Sequence, residues 1–162
     1  SLPMDALNLP RYTFKVKTKE QKKYIFDEIR KKFVPLTPEE WVRQNFIRYL
    51  VDQKHYSPNL VAVEMGLKLH TMQFRADVVV YNRKGEPSMI IECKAPGVNI
   101  HQDHFDQITR YNYELKVKFL LVTNGMEHYG ARVDYQHQTY QFLTEIPEGS
   151  IVHSISSVDD AL

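Results

Sequence analysis

The chain has 162 residues, 43% hydrophobic and 25% charged, with net charge +1, the profile of a globular protein with material for one core. No apolar run approaches the roughly 18 residues of a membrane helix, and no apolar stretch near the N-terminus has the form of a signal peptide. One cysteine, Cys93, excludes an internal disulfide and fits a reducing cytoplasm, and the seven scattered histidines lack zinc-site spacing.

In chain order, RYTFKVK (11–17) alternates apolar and polar residues and predicts an edge strand with lysines facing water. Residues 24–34 are apolar and basic without a clean period, so their type stays open. Residues 15–32 hold eight basic against three acidic residues, a net +5, which leaves −4 for the rest of the chain. A basic face beside a more acidic body suits a phosphate backbone near an acidic metal site, and equally an ordinary solvated surface.

Thr37-Pro38-Glu39-Glu40 predicts a helix start, with Thr as N-cap, Pro in the first turn and Glu40 completing a capping box. The helix should run to about Gln53, with Val42, Phe46, Tyr49 and Leu50 as its apolar stripe and Glu40, Arg43 and Gln44 on another face. Residues 60–70 and 75–82 alternate as strands, and MIIECKA (89–95) follows a polar turn; short turns between them predict an antiparallel meander. A helix is expected over about 101–115, then a fully buried strand KFLLVTNG (118–125) in a central position. ARVDYQ and TYQFLTEI predict a hairpin through His137-Gln138, and the polar tail from Glu148 is expected to be loosely held. The whole is an α/β sandwich: one domain over 1–162, with its core at about 37–125, an N-terminal extension 1–36, and a C-terminal hairpin and tail at 127–162.

The stretch MIIECKAP (89–96) sets a carboxylate and an amine into an apolar strand. Period two puts Ile90, Glu92 and Lys94 on one face and Met89, Ile91 and Cys93 on the other. If strands 75–82 and 89–95 form a hairpin, paired residue numbers sum to about 170, bringing Asp77, on the face of Val79 and Tyr81, within reach of Glu92. Burying these charges is costly unless they compensate one another or hold something. A hard divalent cation would satisfy both carboxylates, and the amine beside it suits charge developing on a phosphate. A cross-strand ion pair, worth under roughly 1 kcal/mol, is the plainer alternative.

The string Asp77…Glu92-Cys93-Lys94 resembles the PD-(D/E)xK nuclease superfamily, whose restriction-endonuclease-like core has the order αβββαβ around a mixed sheet flanked by helices. LTPEEWVRQ (36–44), RADVVVY, MIIECKAP, FDQITRYN (105–112) and LLVTNGMEHY (120–129) together resemble the N-terminal nuclease domain of type I restriction enzyme R subunits, closest to short stand-alone bacterial members. The resemblance implies a Mg²⁺- or Mn²⁺-dependent endonuclease acting on DNA, cytoplasmic, with other restriction-modification subunits as possible partners. It implies that Asp77, Glu92 and the Cys93 carbonyl hold the metal and that Lys94 is the catalytic lysine. Glu40 resembles a first-helix metal carboxylate, with Glu39 its rival. Gln107 and Tyr111 match a QxxxY element on one helix face, Gln107 on the catalytic side. Arg43, Arg75 and Arg110 are candidate DNA contacts with Tyr111; Arg43 and Gln44 could instead hold Glu40. Ala76 replaces the proline of the family's name, and the motor domains of a full R subunit do not occur in these 162 residues. A DNA- or partner-binding module without useful catalysis is the alternative.

Overall fold

A computed structural model describes residues 4–69 and 72–156, without the side chains of 67–69, 72–74 and 110–114. The first sheet is small and antiparallel, in the order β1 (Val16–Lys19), β2 (Lys22–Asp27), β3 (Lys32–Pro35). Then follow α1 (Pro38–Gln53), β4 (Val61–Leu69), β5 (Met72–Tyr81), β6 (Pro87–Cys93), α2 (Gln102–Leu115), β7 (Phe119–Thr123), β8 (His128–Asp134), β9 (Thr139–Phe142) and the short α3 (Gly149–Val152). The second sheet runs β4-β5-β6-β7-β8-β9, antiparallel except for β6 and β7, whose parallel pairing is spanned by α2. This is the expected αβββαβ order with a mixed sheet, a buried central β7 and a C-terminal hairpin. No helix among the described residues is long and apolar enough to cross a membrane.

Alternation along the strands divides the interior between two helices. Val78, Val80, Met89, Ile91 and Leu121 pack with Val42, Phe46 and Leu50 of α1. Val79, Ile90, Leu120 and Val122 pack with Phe105 and Ile108 of α2. Each fully buried aliphatic side chain contributes roughly 1.5–3 kcal/mol, so these two layers fix the sheet between its helices. Thr37 caps α1, its hydroxyl accepting from the Glu40 amide at 3.0 Å. Only this half of the expected capping box forms, because the Glu40 carboxylate is bound elsewhere.

Two expectations change, and one open segment takes a definite form. Of the edge strand expected at 11–17, only Val16 and Lys17 are strand, the start of a β1 that runs on to Lys19. Phe14 instead lies edge-on to Trp41, with the Arg48 guanidinium over its ring at 4.6 Å. The segment before it crosses α1 as an irregular strap: the Trp41 indole donates to the Asp5 carbonyl at 2.8 Å, and the Asn8 amide to Gly125 O at 2.9 Å. Residues 24–34, of open type in the sequence, form most of β2 and β3 around a turn. They bury Ile25 and Val34 with Leu36 and Trp41. α1 is therefore covered on two sides, and its polar residues Glu40, Arg43, Gln44 and Asn45 are buried.

The tail is not loosely held over 148–156. Gly149 donates its amide to the Lys54 carbonyl at 2.7 Å, and a Cβ there would stand 2.3 Å from the His55 carbonyl oxygen. His153 is buried, its Nε2 accepting from the Ser57 amide and its Nδ1 donating to the Tyr81 carbonyl, both at 2.8 Å. Backbone complementarity holds this segment, which is why its polar composition was uninformative.

Candidate active site

The β5–β6 ladder pairs Val78 with Ile91, Val79 with Ile90 and Val80 with Met89, so paired numbers sum to 169, one less than the hairpin estimate. One further step sets Asp77 opposite Glu92. The main-chain ladder stops there, and the Asp77 carboxylate takes its place: Oδ2 accepts from the Cys93 amide at 2.8 Å. Glu92 is largely buried and hydrogen-bonds to Asp77. Burial and the adjacent Asp77 push its carboxyl well above the ordinary range, against the pull of Lys94. Lys94 lies just past β6, its amide donating to the Thr123 carbonyl at 2.8 Å. Its charge acts on Glu92, on Glu39 and on His104 of α2.

On the other side of Asp77, Ala76 belongs to the α2 layer and Val78 to the α1 layer, so strict alternation breaks at this carboxylate. That differs from the face shared with Val79 and Tyr81 that period two predicts. The β4–β5 ladder also skips a rung here, pairing Val63 with Val78 and Met65 with Ala76 but not Glu64 with Asp77. Glu64 stands at φ +53°, a left-handed conformation unusual for a non-glycine residue. The freed Asp77 carbonyl accepts from Arg43 Nη1 at 3.5 Å, and Arg43 lies 3.9 Å from the Asp77 carboxylate.

Arg43 is the centre of a buried ion network. It pairs with Glu40 by two nitrogens and with Glu64 at 3.3 Å. Arg30, from the turn between β2 and β3, joins Asp27 to Glu40, the latter at 2.9 Å. Gln44 donates the remaining hydrogen bond to Glu40 at 2.9 Å. Burial pushes the Glu40 carboxyl up, but Arg43, Gln44 and Arg30 outweigh it and hold it below its ordinary range. One expectation is corrected by this, and one alternative is decided in favour of Arg43 holding Glu40. Glu40 has its oxygens taken by two guanidiniums and an amide, so it does not face the carboxylate pair as a free ligand. Arg43 is buried among carboxylates and is not offered to a DNA backbone.

Glu39 is the residue beside the pair. Burial and Asp77 push its carboxyl up, against Lys94 and Arg43. A cleft of about 470 Å³ opens here, lined by Arg30, Lys32, Val34, Pro35 and Thr37, by Glu39, Glu40 and Arg43 of α1, and by Glu64, Asp77 and Cys93. Arg75 is exposed and pairs with Glu64 at 3.3 Å. Gln107 is exposed on α2, three residues beyond His104, and makes no hydrogen bond to Asp77, Glu92 or Lys94 among the described residues. The side chains of Arg110 and Tyr111 lie outside the described residues.

Among the described residues no ready-made cage of three or more acidic, His or Cys side chains surrounds a metal position. The donors nevertheless fit a hard cation. Asp77 and Glu92 are brought opposite each other by the strand register and repel when both are ionised, a repulsion that a cation between them would relieve, and Mg²⁺ is usually held by one or two carboxylates with waters completing its octahedron. Sequence reasoning missed Arg30, Asp27 and His104. Asp27 and Arg30 lie in a stretch without period, and His104 falls on the face between its helix's apolar positions.

The family described as type I restriction enzyme R protein N terminus matches residues 38–147. The chain belongs to this family. Its match takes in α1 through β9, and so includes Glu39, Asp77, Glu92 and Lys94 but not the small sheet. A solved fragment from Vibrio vulnificus YJ016, described as an HsdR subunit of a type I restriction enzyme, superposes with a TM-score of 0.51 at 20% identity. That match covers 70% of this chain and 24% of that one, so the chain spans about a quarter of its length; at this identity the likeness shows the fold. No curated protein matches the chain. The chain is thus an R-protein N-terminal domain of the type I restriction family.

Proposed function

We propose that this chain is a divalent-metal-dependent DNA endonuclease domain of a restriction system. The single observation that carries the reading is the Asp77–Glu92 pair, two carboxylates crowded at the end of paired strands with Lys94 alongside. Asp77, Glu92 and the Cys93 carbonyl would hold Mg²⁺ or Mn²⁺, with Glu39 rather than Glu40 as the first-helix carboxylate. When bound, the ion supplies Lewis-acid activation and charge neutralisation for phosphodiester hydrolysis. Lys94 orients the attacking water and offsets charge growing on the scissile phosphate. The Cys93 amide fixes the rotamer of Asp77, and Arg43 holds Asp77 from behind without touching substrate. Family membership supports the substrate class, since a restriction R protein acts within a DNA-directed system.

Nicking of supercoiled plasmid in Mg²⁺ and Mn²⁺ tests this. Asp77→Asn and Lys94→Ala are expected to reduce nicking to background while the thermal melt keeps its cooperativity. Wild-type nicking by Asp77→Asn would overturn the assignment. Salt-sensitive DNA binding with no nicking by the unaltered chain would mark a binding module instead.

A further inference from the structure

We infer that the outward face of the small sheet is a separate grip on the phosphate backbone of duplex DNA, beside the cleft and outside the part of the chain that the family match covers. This rests on the reading of DNA as substrate and adds the surface that holds it.

Register decides which side chains share that face. Ile25 pairs with Val34 and both are buried against α1, so their neighbours point outward. Lys17, Tyr24 and Pro35 form one rung of the outer face. Phe26 and Phe33 form the next, with Lys15 beside Phe26 through an amide–carbonyl bond of 2.9 Å. Lys19 and Lys22 close the face at the hairpin turn. These four lysines are exposed, and among the described residues none is ion-paired with a carboxylate. Alternate residues of a strand stand roughly 6.6 Å apart, so Lys15, Lys17 and Lys19 form a row whose step is of the order of that between successive phosphates.

The aromatic rings favour phosphates over bases as the target. The Lys17 ammonium sits 4.2 Å from the centroid of Phe33, and that of Lys15 5.7 Å from Phe26. Phe26 and Phe33 meet edge to face at 5.2 Å. The rings are thus covered by lysines and turned on each other, which leaves little open π-face for stacking a base. They act as a bed that restrains flexible side chains, lowering the entropy cost of aligning the ammoniums with a polyanion. A row of uncompensated like charges is self-repelling, and a phosphate backbone relieves it. The same sheet borders the cleft, since Lys32 and Pro35 line it with Glu39 and Asp77. The guanidiniums in the cleft are engaged by its carboxylates, so a neighbouring face of unpaired lysines supplies the attraction for a polyanion.

Binding of a short fluorescent duplex is measured in EDTA, so that no cleavage intervenes, from roughly 50 to 200 mM salt. Each phosphate contact contributes about 0.9 to the slope of log affinity against log salt, so Lys17→Gln/Lys19→Gln should lower the slope by about 1.8 and weaken binding about ten-fold at low salt. Lys84→Gln/Lys116→Gln removes the same charge at exposed positions elsewhere and should leave binding within about two-fold. Lys19→Gln/Lys22→Gln, which disturbs no ring contact, should repeat the loss even if the first variant melts early. Unchanged binding in both small-sheet variants, or an equal loss in the control, overturns the inference. Wild-type nicking by Asp77→Asn would defeat the catalytic reading and leave this grip standing, so the two failures are distinguishable.

Discussion

Adjacent glutamates at the start of α1 do different work, and substitution should separate them. Glu39→Gln is expected to cut metal-dependent nicking at least about ten-fold while moving the melting temperature little, since a partly exposed carboxylate contributes little to stability. Glu40→Gln should do the reverse in melting, because it leaves Arg30 and Arg43 facing each other without their shared anion. Arg43→Ala leaves Glu40 with Arg30 and Gln44 only; breaking a buried pair from one side costs up to roughly 3–5 kcal/mol, a fall of several degrees in Tm measurable by thermal or urea melting. The network also sets the acid limit of the fold. Burial pushes Asp27 up, but hydrogen bonds from Arg30 and the Ile29 amide hold its carboxyl below the ordinary range, as Arg43 does for Glu40. Such groups bind fewer protons folded than unfolded. Their contribution is complete above the unfolded carboxylate pKa of about 4 and is lost as pH falls below it. An acid titration by circular dichroism should show an unfolding midpoint that moves to higher pH in Asp27→Asn, or the network is not what holds the fold in acid.

At the scale of elements, legibility followed the clarity of the hydrophobic period. The β6 run with its Glu92 and Lys94 was plain from alternation, and midpoint pairing placed Asp77 within one residue of its true register. α1 was legible from Thr37 and Pro38, whose cap forms; Thr37→Ala should cost about 1 kcal/mol. The choice between Glu39 and Glu40 was not legible, because neighbouring helix residues point about 100° apart and only the covering sheet decides which faces the cleft. That sheet itself was obscured: its strands are four to six residues long and lysines occupy the outward positions, so no apolar repeat stands out. The last turn was misjudged for a related reason. Residues 148–156 are held by main-chain bonds and by His153, features that composition does not display. Ending the chain at Pro147 should remove the cover over Tyr56 and Met89 and lower Tm by several degrees.

In the molecule as a whole, Arg30 ties the small sheet to α1 through Glu40 and to β4 of the large sheet through Glu64 at 3.7 Å, so the basic surface and the carboxylate pair are joined by ion pairs as well as by the chain. On the proposed reading, a DNA strand held on one would be presented to the other at a fixed offset, which would make the cutting distance a property of the fold. The missing rung at Glu64 has a further effect. β4 forms one border of the large sheet, and borders with unbroken pairing groups invite foreign strands to add on. A left-handed residue midway along that border bends the template just where the chain would otherwise offer its longest free ladder. The irregularity that frees Asp77 for Arg43 thus also guards the molecule against fibrous self-association.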